Sequence, residues 1–480
     1  MKNTESAIQN SPQDAASLLG TESTGRLLFR YSVPAITGLV VHALYVLVDR
    51  IFIGRWVSEI ALGGLSLVMP LLTVSFAFSM LFGVGAANMI SMRLGQGRRE
   101  EAENALNHCF FLLAGIGVLL TAVGLIFLEQ ILSLMGASEG SAALEFARDY
   151  FRIILFGTVF STVGFGLAHC ARAQGFPGIA MIAMIMGAGL NIVLSALFII
   201  VFGWGIEGAA WATVVSQFVS AVWIVSFSLG KKAVIHFRPK TFRPSLRITL
   251  HIMMFGSAQA LLQFLMSGVQ LLLNASMGWY GAAALGVENG GDIALAGMTI
   301  ISSVIMMALM PVFGISQGAQ PILGYNYGAK KFDRVFGTYL KAVSSSIAIC
   351  IIGAALGVFF PEQMIRAFAS DAGPEFTEFA ARAMWLMMIV LPLSGFQIIS
   401  ANFFVVTGRP KVSIFFTLLR QCIALIPCML IFGRVWGLWG VVAAIPVADG
   451  FAFLVTGIVI VMELRKLKKA FNINAKEKTQ

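Results

Sequence analysis

Long apolar stretches, separated by short polar segments, recur along almost the whole chain. A stretch of about 20 apolar residues is long enough to cross a bilayer as an α-helix. Twelve such stretches can be counted, near residues 31–53, 64–88, 106–128, 150–169, 178–202, 207–229, 250–274, 294–313, 338–360, 384–406, 412–432 and 438–462. The pattern predicts an all-α integral membrane protein with twelve transmembrane helices.

Three short patterns occur twice, in the same order and at nearly the same spacing. They pair residues 60–64 with 293–297, 175–177 with 408–410 and 204–208 with 436–440, so the offset is 232 to 233 residues. Chance matches do not keep such a register, and an internal duplication with six helices per half is the better reading. Fused duplications in transporters bind substrate where the halves meet. We therefore expect substrate to be handled at that seam.

The duplication divides the chain into four segments. We predict a polar cytoplasmic tail at residues 1–25, a six-helix lobe at 26–238, a second six-helix lobe at 239–463 and a basic cytoplasmic tail at 464–480. The polar N-terminal segment lacks the features of a cleaved signal peptide.

Composition supports burial in lipid. The chain is 58% hydrophobic and 12% charged, whereas soluble domains have about 25% charged residues. The net charge of +10 does not indicate nucleic acid, because 25 of the 33 Lys and Arg residues fall in the tails and even-numbered loops of a topology that starts inside. This is the positive-inside bias. It predicts that both termini are cytoplasmic.

Signatures of enzymes and cofactor sites are missing from the sequence. There is no His-Glu-x-x-His motif and no phosphate-binding loop, and neither of the two Gly-x-Ser-x-Gly matches, at residues 136–140 and 314–318, follows a predicted strand as a nucleophile elbow does. The five cysteines lack the spacing of a disulfide or metal framework. We expect no catalytic residue, no metal site and no cofactor, and we expect a monomer in the bilayer.

Several motifs resemble the multidrug and toxic compound extrusion (MATE) transporters, in particular the MepA-like bacterial branch. They are Val48–Gly54, Leu94–Gly97, Arg172–Pro177, Asn191 with Gly208–Thr213, and Thr407–Lys411. The resemblance implies two six-helix lobes with alternating access, in the bacterial cytoplasmic membrane. It also implies antiport, in which amphipathic and often cationic compounds leave in exchange for H⁺ or Na⁺. A flippase for lipid-linked sugars, from the same wider superfamily, is the alternative. Such a flippase would be expected to have a more cationic central cavity.

Only two carboxylates lie inside predicted spans and away from the span ends, Asp49 and Asp449. Ionisable residues are costly in a membrane and are functional candidates by default. Helical spacing places Asp49 on one stripe with Tyr45 and His42. A carboxylate facing a partly dry cavity can take up and release protons near neutral pH. We expect Asp49 to be an ion-coupling residue. Two alternatives are a hydrogen-bonded tether between helices and direct pairing with a cationic drug.

The resemblance adds partners for Asp49. The family's ion site in the first lobe matches Asp49 with Asn191 and Thr213, and we include Tyr45 and Ser195 in the candidate set. Many relatives carry an Asp where this chain has Ser195. The missing carboxylate weakens a sodium site, so we favour H⁺ over Na⁺ as the coupling ion.

The second lobe lacks the carboxylates that some relatives carry in the seventh and tenth spans. Amides stand there instead. We expect a substrate cavity lined by Gln263, Gln270, Asn274, Gln397, Asn402 and Asp449. Interhelical hydrogen bonds are the alternative role for the amides, and a structural role is the alternative for Asp449.

Two further features concern backbone conformation. Pro34 in the first span is a candidate hinge, because a helix proline removes one backbone hydrogen bond. The alternative is a proline in the first helical turn. Gly97 and Gly328, each before a basic segment, are predicted to end their helices as C-caps.

Overall fold

The computed structural model describes residues 12–134, 142–238, 242–284, 290–369 and 373–477. These residues form helices joined by short connections, and the described ranges contain no β-strand. In chain order the helices are α1 (Pro12–Thr21), α2 (Thr24–Trp56), α3 (Glu59–Gly95), α4 (Arg99–Ile126), α5 (Leu128–Leu134), α6 (Ala142–Ala173), α7 (Pro177–Ser195), α8 (Gly205–Leu229), α9 (Leu246–Ala284), α10 (Gly290–Gly328), α11 (Phe332–Phe359), α12 (Pro361–Phe368), α13 (Pro374–Met388), α14 (Leu391–Val406), α15 (Pro410–Leu418) and α16 (Ile426–Glu477).

The helices confirm the prediction of an all-α membrane protein. Within the described ranges, ten helical stretches are long and apolar enough to cross a bilayer, and α13 with α14, bent by 45°, can form an eleventh span. The last stretch runs for 57 residues from Pro410 to Lys466, or roughly 85 Å of helix. Since that is far more than one bilayer, it holds the last two predicted spans, which Gly437 separates with non-helical angles (φ 59°, ψ −136°).

The internal repeat is visible in the backbone. Left-handed residues occur in three pairs at the repeat offset: Gly175 (φ 104°) with Gly408 (φ 80°), Gly205 (58°) with Gly437 (59°), and Gly97 (75°) with Lys330 (57°). L-residues avoid this conformation, so its recurrence at equivalent positions is evidence of duplicated architecture.

One of the predicted C-caps is wrong. Gly97 follows the end of α3 with a left-handed backbone, as predicted, but the left-handed residue after α10 is Lys330, two residues beyond Gly328. Gly328 is needed for another reason. A Cβ atom at this position would overlap the carbonyl oxygen of Met92 on α3.

The first helical span is longer than predicted. It begins at Thr24 rather than near residue 31, so Pro34 lies well inside α2. The alternative that Pro34 sits in the first helical turn is therefore wrong.

The described residues divide into two compact units. One contains the chain up to Gln263 together with Gln320–Lys330, and the other contains Phe264–Ala319 and the chain from Lys331 onward. Two of the three divisions fall inside α9 and α10, and the third follows α10. The first unit also includes α1, whose Leu19 is fully buried and accepts a hydrogen bond from Asn326 Nδ2 at 2.8 Å.

Candidate functional site

Asp49 lies in the second half of α2 and is buried, with 7% of its surface exposed. Ser195 Oγ donates a hydrogen bond to Asp49 Oδ1 at 3.3 Å. No ion pair to Asp49 occurs among the described residues. The first unit therefore holds a buried carboxylate whose contact is a neutral hydroxyl.

The local structure of α7 places two of the predicted partners. Ser195 is the last α-helical residue of α7, and a π-helical segment, Ala196–Val201, follows it directly. Asn191 lies one turn before Ser195 on the same face. Its Nδ2 donates to Thr213 Oγ1 at 3.1 Å, and Thr213 in turn donates to the Ala209 carbonyl oxygen at 3.1 Å. One face of α7 thus contacts both Asp49 and Thr213.

A cavity of about 380 Å³ opens beside Asp49. Its apolar lining includes Met69, Leu72, Phe76 and Phe165, and its polar lining includes His42, Tyr45, Asp49, Arg50, Tyr150, Thr158, Thr213, Gln217 and Gln263. The cavity combines aromatic and aliphatic surface with a few polar groups, which is typical of small-molecule sites.

Tyr45 and His42 line this cavity with Asp49, as their spacing along α2 suggests. Their rings contact each other edge to face, with centroids 4.9 Å apart. The stripe of three polar residues on α2 therefore faces a common space rather than lipid.

Asn191 is left with an unused acceptor. Its Oδ1 is buried and has no hydrogen-bond partner among the described residues. Gln217 Oε1, which belongs to a cavity-lining residue on α8, is in the same condition. Buried polar atoms are normally satisfied, so these two oxygens are positions where water, an ion or a substrate donor can bind.

The six residues predicted to line a substrate cavity lie in different places. Gln263 lines the Asp49 cavity. Gln270 and Asn274, both exposed on α9, hydrogen-bond each other at 2.8 Å. Asn402 Nδ2 on α14 donates to the Ser316 carbonyl oxygen on α10 at 3.0 Å. Gln397 and Asp449 come together in the second unit, where Gln397 Nε2 donates to the Asp449 carbonyl oxygen at 2.8 Å.

The partner of Asp449 was not predicted from the sequence. Arg420, in the π-helical segment Leu419–Leu425, binds its carboxylate with two nitrogens, with Nε to Oδ1 at 2.6 Å and Nη2 to Oδ2 at 3.2 Å. The only signal in the sequence was that both residues are charged and lie in successive predicted spans. Tyr150 and Gln217, which line the Asp49 cavity, were also missed as site residues.

The site holds a single carboxylate with hydroxyl and amide neighbours. The described residues contain no group of three or more His, Cys, Asp or Glu side chains that could hold a metal ion. A lone carboxylate in a cavity can exchange a proton or pair with a monovalent cation.

Comparison with known proteins decides the family. The MatE family model matches the chain twice, over residues 34–197 and 259–430, so that each half carries one match. The chain belongs to the MatE family. The resemblance seen in the motifs is thereby confirmed, and the double match agrees with the internal repeat.

Individual relatives cover almost the whole MATE chain. The multidrug export protein MepA of Staphylococcus aureus (strain MSSA476) is 25% identical over 438 residues, which are 91% of this chain and 93% of MepA. A solved outward-facing conformation of a multidrug resistance MATE family transporter of the MOP superfamily has a TM-score of 0.87 and 26% identity. The alignment covers 95% of this chain and 99% of that one.

A second solved structure shares this fold. It is a MOP superfamily transporter from Pyrococcus furiosus, described as having a binding pocket of reverse polarity that suggests a different function. Its TM-score is 0.86 at 26% identity, with 94% of this chain and 98% of that chain covered. Membership of the MATE family therefore makes this protein a multi-pass membrane transporter, and its cargo has to be argued from its own site.

Proposed function

We propose that this protein is a secondary active antiporter that exports amphipathic, often cationic compounds in exchange for H⁺. The single observation that carries the proposal is the buried carboxylate of Asp49, which lines a cavity of about 380 Å³ and has no basic partner within ion-pair distance among the described residues. The names of the relatives support the drug-export part of the proposal.

The coupling step uses Asp49. A carboxylate in a cavity poor in water is stabilised in its neutral form, and access to water favours its charged form. Protonation therefore changes the charge of the site by one unit. Ser195 can donate to the charged form and accept from the protonated one, because a hydroxyl is both donor and acceptor.

Coupling follows when a cationic substrate and a proton compete for the same carboxylate. A drug cation in the cavity stabilises charged Asp49, whereas a bound proton removes that attraction. Each ligand then lowers the affinity for the other by the same factor. Proton entry from the outside releases the drug, and proton loss to the inside restores the site for the next drug molecule.

The proton is the preferred coupling ion because the site has one carboxylate. Hard cations such as Na⁺ require several oxygen ligands, including charged ones, and Ser195 supplies a hydroxyl rather than a second carboxylate. Sodium is the second candidate, since the unpaired Asn191 Oδ1 and the Thr213 hydroxyl are suitable oxygen ligands near Asp49.

The cavity lining fits the proposed substrate class. Phe76, Phe165 and Met69 offer aromatic and polarisable surface to an apolar body, and Gln263 and Gln217 offer amide groups. We assign Gln263 to substrate contact on this basis. For Gln270, Asn274, Gln397, Asn402 and Asp449, the hydrogen bonds described above give no support to a shared substrate cavity.

We further propose that export proceeds by alternating access between the two lobes. The protein would be a monomer in the bacterial cytoplasmic membrane, with both termini cytoplasmic. The distribution of Lys and Arg supports this orientation. Pro34 inside α2 is the proposed hinge, because α2 carries Asp49 and lacks one backbone hydrogen bond at this proline.

The flippase reading is less favoured. A lipid-linked pyrophosphate needs unpaired cationic groups in the cavity. The buried charged side chain that lines the cavity of this protein is instead the carboxylate of Asp49. Arg50, the basic residue of the lining, is exposed.

Accumulation of a fluorescent cationic dye in cells that lack their own exporters tests the function. Expression of the protein is expected to lower dye accumulation, and Asp49→Asn is expected to abolish this effect. Asp333→Asn, an exposed carboxylate at the start of α11, is the matched control and should export normally. Failure of the unaltered protein to export dye, together with transfer of a lipid-linked sugar, would establish the flippase instead.

A further inference from the structure

A second buried carboxylate in the membrane-spanning part has no role in the proposed coupling step. Asp449 on α16 has 4% of its surface exposed. Its carboxylate is held by the Arg420 guanidinium through two contacts, at 2.6 and 3.2 Å, as described above. The arginine side chain itself is 30% exposed. The pair is therefore open on the guanidinium side and closed on the carboxylate side.

Two polar side chains of α14 contact Asp449, one at its carboxylate and one at its backbone. Ser394 Oγ donates to Asp449 Oδ2 at 2.9 Å, and Gln397, one turn further along α14, donates from Nε2 to the Asp449 carbonyl oxygen. Gln397 is 8% exposed, and its Oε1 is buried without a hydrogen-bond partner among the described residues. Carboxylate, hydroxyl and amide oxygens are the ligands that hard cations prefer.

This set of groups resembles the one around Asp49. Each unit holds a buried aspartate that accepts a hydrogen bond from a serine, Ser195 for Asp49 and Ser394 for Asp449. Each site also has a carboxamide with an unpaired, buried oxygen, Asn191 in one and Gln397 in the other. The two sites differ in one respect: the Arg420 guanidinium binds Asp449, whereas Asp49 has no ion pair among the described residues.

We propose that Arg420 is a tethered counter-cation for Asp449. Its guanidinium occupies the position that a soluble monovalent cation takes at a carboxylate without a basic partner. Both carboxylate oxygens of Asp449 already accept hydrogen bonds from the guanidinium, so neither H⁺ nor Na⁺ is needed to balance the charge. The second unit is thereby removed from ion coupling, and replacement of Arg420 by an uncharged residue exposes a cation site made of Asp449, Ser394 and Gln397.

The placement of Arg420 supports a role beyond stability. Buried ion pairs often add little net stability, because desolvation offsets the attraction between the charges. π-Helical segments in α-helices are frequently found at functional sites, and Arg420 lies in one. Its fork geometry matches a carboxylate with two parallel hydrogen bonds, which an ammonium group does not.

Cation binding to purified protein tests the proposal directly. An Asp49→Asn background removes the first site, so that binding reports on the second unit alone. Asp49→Asn/Arg420→Met is expected to bind about one Na⁺ per molecule, to melt at a higher temperature in NaCl than in choline chloride, or to show the infrared carbonyl band of a protonated Asp449. Asp49→Asn alone and the triple variant with Asp449→Asn should show none of these signals.

The result that overturns the proposal is a folded Asp49→Asn/Arg420→Met protein that neither binds Na⁺ nor protonates Asp449. Arg420→Gln, a shorter uncharged replacement, provides an independent variant for the same measurements. If Arg420→Met and Arg420→Gln fold only when Asp449→Asn accompanies them, dye export is the measurement that tests the proposal. Arg420→Met/Asp449→Asn should still export dye, because a neutral pair needs no counter-cation, and loss of export contradicts the proposal.

A transport measurement separates this proposal from the proposed function. With Asp49 intact, Arg420→Met is expected to make dye export depend on external Na⁺, or to change the pH dependence of export relative to that of the unaltered protein. Arg420→Lys, which retains a tethered cation, should not acquire that dependence. Failure of Asp49→Asn to change coupling would refute the proposed function while leaving these outcomes at Arg420 unaffected.

Discussion

Gln320 Nε2 donates a hydrogen bond to Asn88 Oδ1 at 2.6 Å, and the two residues are 232 positions apart, the spacing of the internal repeat. Equivalent positions of the two copies therefore contact each other. The surrounding contacts are reciprocal in the same way: a Cβ at Gly95 would overlap the Tyr325 carbonyl oxygen, and one at Gly328 would overlap that of Met92. The crossing of α3 and α10 is self-complementary, as expected of an interface between two copies of one element.

Replacing one amide of the pair at this crossing should lower the stability of the protein more per residue than replacing both. Gln320→Leu leaves the buried Asn88 without its donor, and an unsatisfied buried polar group costs about 1–3 kcal/mol. Asn88→Leu should cost a similar amount. The double variant Asn88→Leu/Gln320→Leu is expected to recover part of this loss. Thermal unfolding in detergent measures the difference, and strictly additive losses would contradict a direct pairing.

The close approach of α3 and α10 predicts a strong effect of small additions. Gly95→Ala and Gly328→Ala place a methyl group against backbone that side-chain rotation cannot move, so both variants should be destabilised and should export poorly. Gly115→Ala on α4 is the matched control, since a Cβ there meets nothing within 4 Å. Alanine is the better helix former by about 1 kcal/mol. If Gly95→Ala behaved like Gly115→Ala, the close crossing would be excluded.

Pro34→Ala tests the hinge. Alanine restores the N–H that can bond to the Arg30 carbonyl oxygen, and proline inside a helix costs about 3 kcal/mol. The variant is expected to be at least as heat-stable as the unaltered protein but slower in dye export. Pro361→Ala at the first position of α12 is the control, because no helical bond is gained there. Export by Pro34→Ala at the normal rate would rule out the hinge.

Ser195→Asp tests whether residue 195 selects the coupling ion. A second carboxylate next to Asp49 adds a charged oxygen ligand, so the variant should bind Na⁺ and export dye in response to a sodium gradient. Ser195→Ala removes the hydrogen-bond donor without adding charge and serves as the comparison. Sodium-driven export in Ser195→Ala, or its absence in Ser195→Asp, would show that residue 195 does not select the ion.

The spans and the carboxylate at Asp49 could be predicted from the sequence because both signals are local. Hydropathy marks each helix, and a lone charge within an apolar run is visible without knowledge of packing. The break between the last two spans was also predictable, since Trp436 and Gly437 repeat Trp204 and Gly205.

Tertiary contacts account for what the sequence did not reveal. Arg420 and Asp449 are 29 positions apart on different helices, and their pairing depends on how α14, α16 and the π-helical segment pack. Gly328 was misread because glycine serves both helix ends and close contacts. At the position equivalent to Gly97, this chain has Lys330. Its left-handed backbone could not be predicted from a rule that assigns this conformation to glycine.

Efflux from proteoliposomes under imposed gradients tests the central claim most directly. Vesicles that contain the unaltered protein or Asp49→Asn are loaded with a cationic dye and exposed separately to a proton gradient and a sodium gradient. We predict that the proton gradient drives dye movement by the unaltered protein, that sodium alone does not, and that Asp49→Asn responds to neither. Gradient-driven transport that persists in Asp49→Asn would contradict the claim that Asp49 couples ion entry to export.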